Sequence, residues 1–113
     1  MTASAVTLTD AQMGTATATA TTNATVIDSW SATTYKSAKY LVQMRKDNDI
    51  ETIEVLVNVD GNNNVYITEY ADVISNAVLG TTDADYSGGN VRLLVTGTAN
   101  DTVVKVHKTL IEA

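Results

Sequence analysis

The sequence predicts an all-β protein: an antiparallel β-sandwich, jelly-roll-like or a small barrel, with an extended N-terminal arm. β-Branched residues recur in short blocks, the blocks alternate apolar and polar positions, and Asn, Asp and Gly separate them while proline is absent. The 113 residues suit one domain with one core. We place the sandwich domain at residues 35–113 and the arm at residues 1–34.

The arm contains a low-complexity stretch in which threonine alternates with alanine from Thr15 to Ala20. Such a stretch suits a flat strand of small residues, or an extended segment that packs on neighbouring subunits or is exchanged with them. We therefore predict Thr15, Thr17, Thr19 and Thr21 as interface residues.

Two alternating blocks form the centre of the predicted domain. In "SAKYLVQMR", Tyr40, Val42 and Met44 share one face of a strand. The block "IETIEVLVNVD" alternates almost ideally, and the turn-rich "DGNNN" joins it to "VYITEY". This pattern predicts a hairpin with its tip at Asp60 to Asn64. The following "ADVISNAVLG" fits either a short helix or a strand, and its β-branched content favours a strand.

The C-terminal part predicts two more strands, "NVRLLVTG" and "TVVKVHKTLIE", and the second of them carries Val104, Val106, Lys108 and Leu110 on one face. We expect "TTDADYSGG" to be a loop that reverses the chain, because paired glycines permit positive φ. In "NVRLLVTG", the side chains of Val91, Leu93 and Val95 then point into the core. Leu94 on the second face of this strand and Leu56 in the central block are apolar residues on otherwise polar faces, and we predict both as subunit-interface residues.

Composition excludes several classes of partner. The formal net charge of −6 has the wrong sign for a protein that neutralises phosphates, so no nucleic-acid partner is expected. The seven basic residues are scattered, which argues against an anionic membrane surface. Without cysteine the chain has no disulfide or thiolate site. The N-terminus lacks a basic and then apolar signal pattern, so we expect a soluble product that is not addressed for secretion.

No catalytic pattern emerges from the nucleophilic and basic side chains. His107 is the single histidine, on the same predicted strand face as two polar neighbours, and a surface role is expected. Four serines lie in no nucleophile-elbow pattern: Ser29, Ser31, Ser75 and Ser87.

Acidic residues offer two further hypotheses. Glu51, Glu54 and Glu69 are the carboxylates that could oppose each other as a glycosidase-like pair, although solvated strand faces explain them better. Asp83 with Asp85, or Asp60 in its turn, could gather oxygens around a calcium ion, but turns stabilised by side-chain hydrogen bonds are the favoured interpretation. We therefore expect no metal and no cofactor.

The aromatic residues provide a binding hypothesis. Trp30, Tyr66 and Tyr70 could form a sugar-stacking surface, with the two tyrosines on one face of a strand. Packing in the core or at an interface is the alternative role for the same rings.

Taken together, the motifs resemble a known family. The ordered series "EVL…DG…YITEY", "LGT.DAD.SGGNVRLLVT" and "TVVKV..TLI", from about Tyr35 to Ala113, resembles a β-rich module of virion structural proteins of marine tailed bacteriophages, including cyanophages and related myoviruses. The resemblance implies a non-enzymatic structural role in the virion after assembly in the host cytoplasm. It implies no catalytic residues.

Two functional hypotheses follow. The first is a capsid decoration, or cement, protein that forms a homo-oligomer and binds the major capsid protein or tail and neck proteins through strand faces and the arm. The second is a tail, neck or fibre component that acts as a host-surface glycan adhesin through the three rings.

Overall fold

The computed structural model describes residues 5–113, which form nine β-strands and no helix. The strands are β1 (Ala5–Thr7), β2 (Ala11–Ala20), β3 (Thr25–Ser31), β4 (Tyr35–Lys46), β5 (Asp49–Val59), β6 (Val65–Ile74), β7 (Gly80–Ser87), β8 (Asn90–Gly97) and β9 (Thr102–Glu112). They build one six-stranded sheet in the order β1-β2-β9-β4-β5-β6 and one three-stranded sheet in the order β3-β8-β7. All pairs are antiparallel, which confirms the predicted sandwich.

The core lies between the inner faces of the two sheets. Period-two alternation buries every second side chain of β4, so that Tyr40, Val42 and Met44 are enclosed while their neighbours face solvent. The three-stranded sheet contributes Val91 and Leu93 from β8, as the sequence predicts. The burial of these side chains is the main term that holds the sheets together.

Two hairpin turns lie where the sequence places them. The tip between β5 and β6 spans Asp60 to Asn64, and the Asp60 amide donates to the Asn64 carbonyl at 3.0 Å. Gly88 and Gly89 form the two-residue turn between β7 and β8, with φ values of 59° and 89°. Positive φ at both positions is the geometry that suits glycine in such a turn.

The expectation of a loop over "TTDADYSGG" is wrong. Residues 80–87 form β7, which pairs with β8 along its whole length, and only the two glycines form the turn. The inner face of β7 carries Thr82, which is buried, and Ala84, which packs against the core. Pairing and inner-face packing therefore override the low β-propensity of Asp and Ser.

The segment "ADVISNAVLG" divides between a strand and a loop. β6 continues through Ile74, as expected for a strand, and the following residues up to Leu79 form the connection to β7. Two hydrogen bonds hold this connection: the Ile50 amide donates to the Ser75 side-chain Oγ at 2.9 Å, and the Ser75 amide donates to the Ile50 carbonyl at 3.0 Å.

The N-terminal segment from Ala11 is part of the sandwich and not an arm beside it. β2 lies between β1 and β9 and pairs with β9 over its full length, while β3 belongs to the smaller sheet. Ala20, Ile27 and Trp30 from these strands are buried in the core. Residues 1–4 of the predicted arm lie outside the described residues, and exchange of the segment between copies stays a prediction.

Candidate interaction surface

One side of the six-stranded sheet is not covered by the smaller sheet, and we call it the outer face. Strand register brings its side chains into rows, such as Thr15, His107, Leu41, Glu54 and Tyr70 on β2, β9, β4, β5 and β6. The outer face consists of Val6, Met13, Thr15, Thr17, Thr19, Ser37, Lys39, Leu41, Gln43, Arg45, Ile50, Thr52, Glu54, Leu56, Asn58, Tyr66, Thr68, Tyr70, Val73, Val103, Lys105, His107, Thr109 and Ile111.

Large apolar side chains are exposed on the outer face. Leu41 and Leu56 are each 46% exposed, Ile111 is 47% exposed and Tyr66 is 56% exposed. Single exposed apolar residues are ordinary on protein surfaces, whereas a group on one sheet face makes that face a candidate binding surface.

Two open hollows lie on this face. A hollow of about 570 Å³ is lined by Leu56, Tyr66 and Ile111 together with neighbouring residues of β4, β5, β6 and β9. A second, of about 420 Å³, is lined by Leu41, His107 and neighbouring residues of β2, β4, β5 and β9. The outer face therefore offers depressions that side chains of a partner can fill.

The structure brings most of the predicted interface residues to this face. Thr15, Thr17 and Thr19 alternate outward along β2, and Leu56 lies on the same face on β5. Thr21 follows the end of β2, where its carbonyl accepts a hydrogen bond from the Gly97 amide at 2.8 Å and links this end to the end of β8.

Leu94 lies on the other side of the molecule. It is half-buried on β8 and pairs with Val26 of β3 and Asp83 of β7, on the outward side of the smaller sheet. Leu56 and Leu94 are therefore on opposite sides of the sandwich and cannot belong to one continuous patch.

The predicted three-ring glycan surface does not form. Trp30 is only 4% exposed, and its Nε1 donates to the hydroxyl of Tyr40 in the core at 3.0 Å. Tyr66 and Tyr70 do lie on the outer face, as the alternation predicts, although Tyr70 is half-buried. Trp30 is inner-facing because it pairs with Val91 at a buried position of the ladder.

A chain of polar groups crosses the core at this point. The Tyr40 hydroxyl donates to Asp28 Oδ2 at 2.7 Å, and Lys108 Nζ donates to both Asp28 oxygens at 2.8 Å. The side chains of Lys108 and Asp28 are 14% and 9% exposed. Burial and the Asp28 charge raise the pKa of Tyr40, so the hydroxyl stays protonated and donates. This network links the two sheets, since Asp28 is on β3 and Lys108 on β9.

Sequence reasoning missed the buried ion pair. The signal available was Lys108 itself, a lysine on the face of β9 that otherwise carries Val104, Val106 and Leu110. A cation on an apolar face needs a partner, but nothing in the sequence identifies Asp28 as that partner.

The three glutamates do not form a catalytic pair. Glu51 faces inward and is 2% exposed, and its Oε1 accepts the Leu79 amide at 2.8 Å. Glu54 points to the opposite face of β5, while Glu69 is exposed on β6. Burial and the nearby Asp72 carboxyl raise the pKa of Glu51, whereas the Leu79 amide opposes the shift.

The two candidate calcium positions have protein partners for their carboxylates. Asp60 Oδ1 accepts the amides of Asn62 and Asn64, each at 2.9 Å, and the Asn64 amide is the main reason that the pKa of Asp60 is lowered. Asp85 is bonded to Arg92 Nε at 2.7 Å and to Nη2 at 2.6 Å, and this bonding lowers the pKa of Asp85. Asp83 Oδ1 accepts the Ala84 amide at 2.8 Å. The turn-stabilising interpretation thus accounts for Asp60.

His107 and the acidic side chains of the described residues do not come together in a catalytic or metal site. His107 is exposed on the outer face, and its row neighbours are Thr15 and Leu41. Within residues 5–113, no group of three or more His, Asp or Glu side chains is arranged to hold a metal ion. The same residues contain no candidate for a membrane-spanning helix.

The similarity of this chain to known proteins is weak and structural. No protein-family model matches the sequence, and no curated protein matches it. Among solved structures, the chain is similar to the tailspike protein of Acinetobacter baumannii phage AM24, with a TM-score of 0.48 and 7% identity over 89% of this chain. The match covers 26% of the tailspike chain. Membership of the marine-phage virion family stays a prediction.

Proposed function

We propose that this chain is a non-enzymatic structural protein of a bacteriophage virion, most simply a capsid decoration protein. It binds neighbouring virion subunits through the outer face of the six-stranded sheet. The sequence resemblance supports the viral setting, and the structure supports a role in binding.

The observation that carries the proposal is the group of exposed apolar side chains on the outer face. A sandwich needs only one apolar face per sheet, and the inner faces already provide it. Leu41, Leu56 and Ile111 therefore add nothing to the core, yet they keep large apolar surfaces in water beside open hollows. A partner that covers these side chains would remove this surface from water and gain binding free energy.

The experiment measures the binding of purified chain to virions that lack it, and we call it the add-back assay. Purified chain is added to particles of the encoding phage from which its gene has been deleted, and bound copies are counted by quantitative mass spectrometry. We expect saturable binding by the natural chain and strong loss with Leu56→Asp. Val26→Asp is the matched control, because Val26 is 41% exposed on the other side of the sandwich.

Immunogold labelling of natural virions identifies the position of the chain. Labelling over the head supports a decoration protein, whereas labelling confined to the tail tip favours the adhesin alternative. Absence of the chain from purified virions would overturn the proposal. Circular dichroism and thermal melting of both variants check that each remains folded.

The alternative function is that of a host-surface adhesin, which would use two aromatic rings and not three, because Trp30 is buried. Tyr66 and Tyr70 are the side chains that could stack on a sugar. A glycan array with natural chain and Tyr66→Ala tests it: binding lost in the variant would support an adhesin.

A further inference from the structure

The outer face has a charge opposite to that of the chain. It carries Lys39, Arg45 and Lys105, with Glu54 as its acidic residue, a balance of +2 when histidine is neutral. Because the net charge of the chain is −6, the other residues together carry −8. The surface that exposes the apolar side chains is thus a positive region on an acidic molecule.

The three cations have no ionic partner within residues 5–113. The salt bridges there join Arg92 to Asp85 and Lys108 to Asp28, and neither involves the outer face. Lys39, Arg45 and Lys105 are all exposed, so each can meet a carboxylate of a partner.

We propose that the outer face binds an acidic, apolar surface of a different virion protein, an inference that rests on the proposed function and specifies the chemistry of its partner. Leu41, Leu56 and Ile111 provide the apolar centre of the contact. The three cations pair with Asp or Glu side chains of the partner. Complementary charge of this kind speeds association and selects the partner.

The size of the face fits a stable protein interface. Six strands with about 4.8 Å between neighbours give a width of about 24 Å, and the nine residues from Ser37 to Arg45 give a length of about 30 Å. The resulting area is on the order of 700 Å², close to the roughly 800 Å² that each partner buries in a standard interface.

A second copy of this chain fits the outer face poorly. Two outer faces in symmetric contact would bring six unpaired cations and two glutamates into one interface, and like charges in a shared interface oppose binding. The outward side of the smaller sheet offers three strands, about half the width, and its Asp85 is already paired with Arg92. A nucleic acid is disfavoured because the whole chain repels a polyanion.

Site-specific photo-cross-linking tests the partner. A benzoylphenylalanine residue replaces Leu56 in the full chain, virions are assembled in infected cells and irradiated, and cross-linked peptides are identified by mass spectrometry. The same residue at Val26 is the matched control on the opposite side. We expect position 56 to cross-link to a segment of another virion protein that contains Asp or Glu.

Charge variants test the electrostatic part by the add-back assay. We expect Lys39→Glu and Lys105→Glu each to weaken binding by about tenfold or more, and Lys105→Arg to preserve it. Binding of the natural chain should weaken as salt rises, because salt screens exposed charges.

Four outcomes would overturn this inference while leaving a structural role in the virion intact. Three of them come from cross-linking: position 56 cross-links to another copy of this chain, position 56 of virion-bound chain cross-links to no protein, or only position 26 cross-links. The fourth is that the charge variants bind to virions as well as the natural chain does. If the chain is absent from virions, the proposed function itself fails.

Discussion

The two faces of β9 are similar in sequence but very different in use. On the inner face, Val104 and Leu110 are 0% and 1% exposed, whereas Ile111 on the outer face is 47% exposed. Each face also carries a lysine: Lys108 is buried against Asp28, and Lys105 is exposed. Alternation therefore determines which side chains share a face, but the packing of the second sheet determines which face becomes the core.

The lysine pair provides the strongest test of this difference. Replacing Lys108 with Ala leaves Asp28 charged and buried without its ionic partner, and we expect a loss of about 3–5 kcal/mol in the free energy of unfolding. Lys105→Ala should change it by less than about 0.5 kcal/mol, because an exposed lysine without a salt bridge contributes little. Urea unfolding followed by tryptophan fluorescence measures both variants.

Equal effects of the two lysine variants would contradict the buried pair. A double variant, Asp28→Asn with Lys108→Met, removes both charges and should recover part of the loss seen for Lys108→Ala.

Neighbouring apolar residues on β9 give the next largest effect. Leu110→Ala opens a cavity in the core and should cost about 2–5 kcal/mol, whereas Ile111→Ala should cost less than about 0.5 kcal/mol. The measurement is the midpoint of chemical unfolding at constant slope. A large loss for Ile111→Ala would show that the outer face is covered within the isolated chain.

The core positions of β8 and the turn before it can be predicted from the sequence alone. Strict alternation is enough to predict that Val91, Leu93 and Val95 lie in the core, and the paired glycines are enough to predict the turn between β7 and β8. These features depend on neighbours in sequence, so a local pattern contains the information.

Contacts between distant strands could not be predicted in the same way. Asp28 and Lys108 are 80 positions apart, and their pairing depends on how the two sheets stack. The sequence does not predict the burial of Trp30, because that burial depends on its pairing with Val91. For the candidate interaction surface, alternation predicts that Thr15 and Thr17 share one strand face, but only the strand order shows that they lie on the same sheet face as Leu56 and the exposed cations.

A threonine pair on β7 offers a smaller test. Thr82 is inner-facing, and its Oγ1 is buried without a hydrogen-bond partner among the described residues. Valine has the same shape without the polar group, so Thr82→Val should raise the free energy of unfolding by about 1 kcal/mol. Thr81→Val on the exposed face should have almost no effect, and thermal melting compares the two. A destabilised Thr82→Val variant would indicate a partner for the hydroxyl.

The smallest expected effect concerns Glu51 and depends on pH. Its folded-state pKa lies above the ordinary value of 4.5, so ionisation of Glu51 opposes folding. The contribution of Glu51 to the free energy of unfolding is therefore greatest below pH 4.5, and it is lost as the pH rises through the folded-state pKa. Glu51→Gln keeps an oxygen for the Leu79 amide and lacks the charge.

The melting temperatures of the natural chain and of the Glu51→Gln variant should differ more and more as the pH rises from 4 to 7. We expect the Glu51→Gln variant to melt higher than the natural chain near pH 7, and the difference to shrink towards pH 4. A constant difference over this interval would contradict the raised pKa.

The position of β9 has a consequence for how the chain folds. It is the ninth strand in sequence, yet it separates β2 from β4, so the segment β1–β2 cannot join the meander β4–β6 until β9 has inserted between them. The meander can form early from short-range contacts, while closure of the large sheet waits for a pairing of high contact order. Assembly of the sandwich should therefore be slow for its size, with insertion of β9 as the late step that completes it.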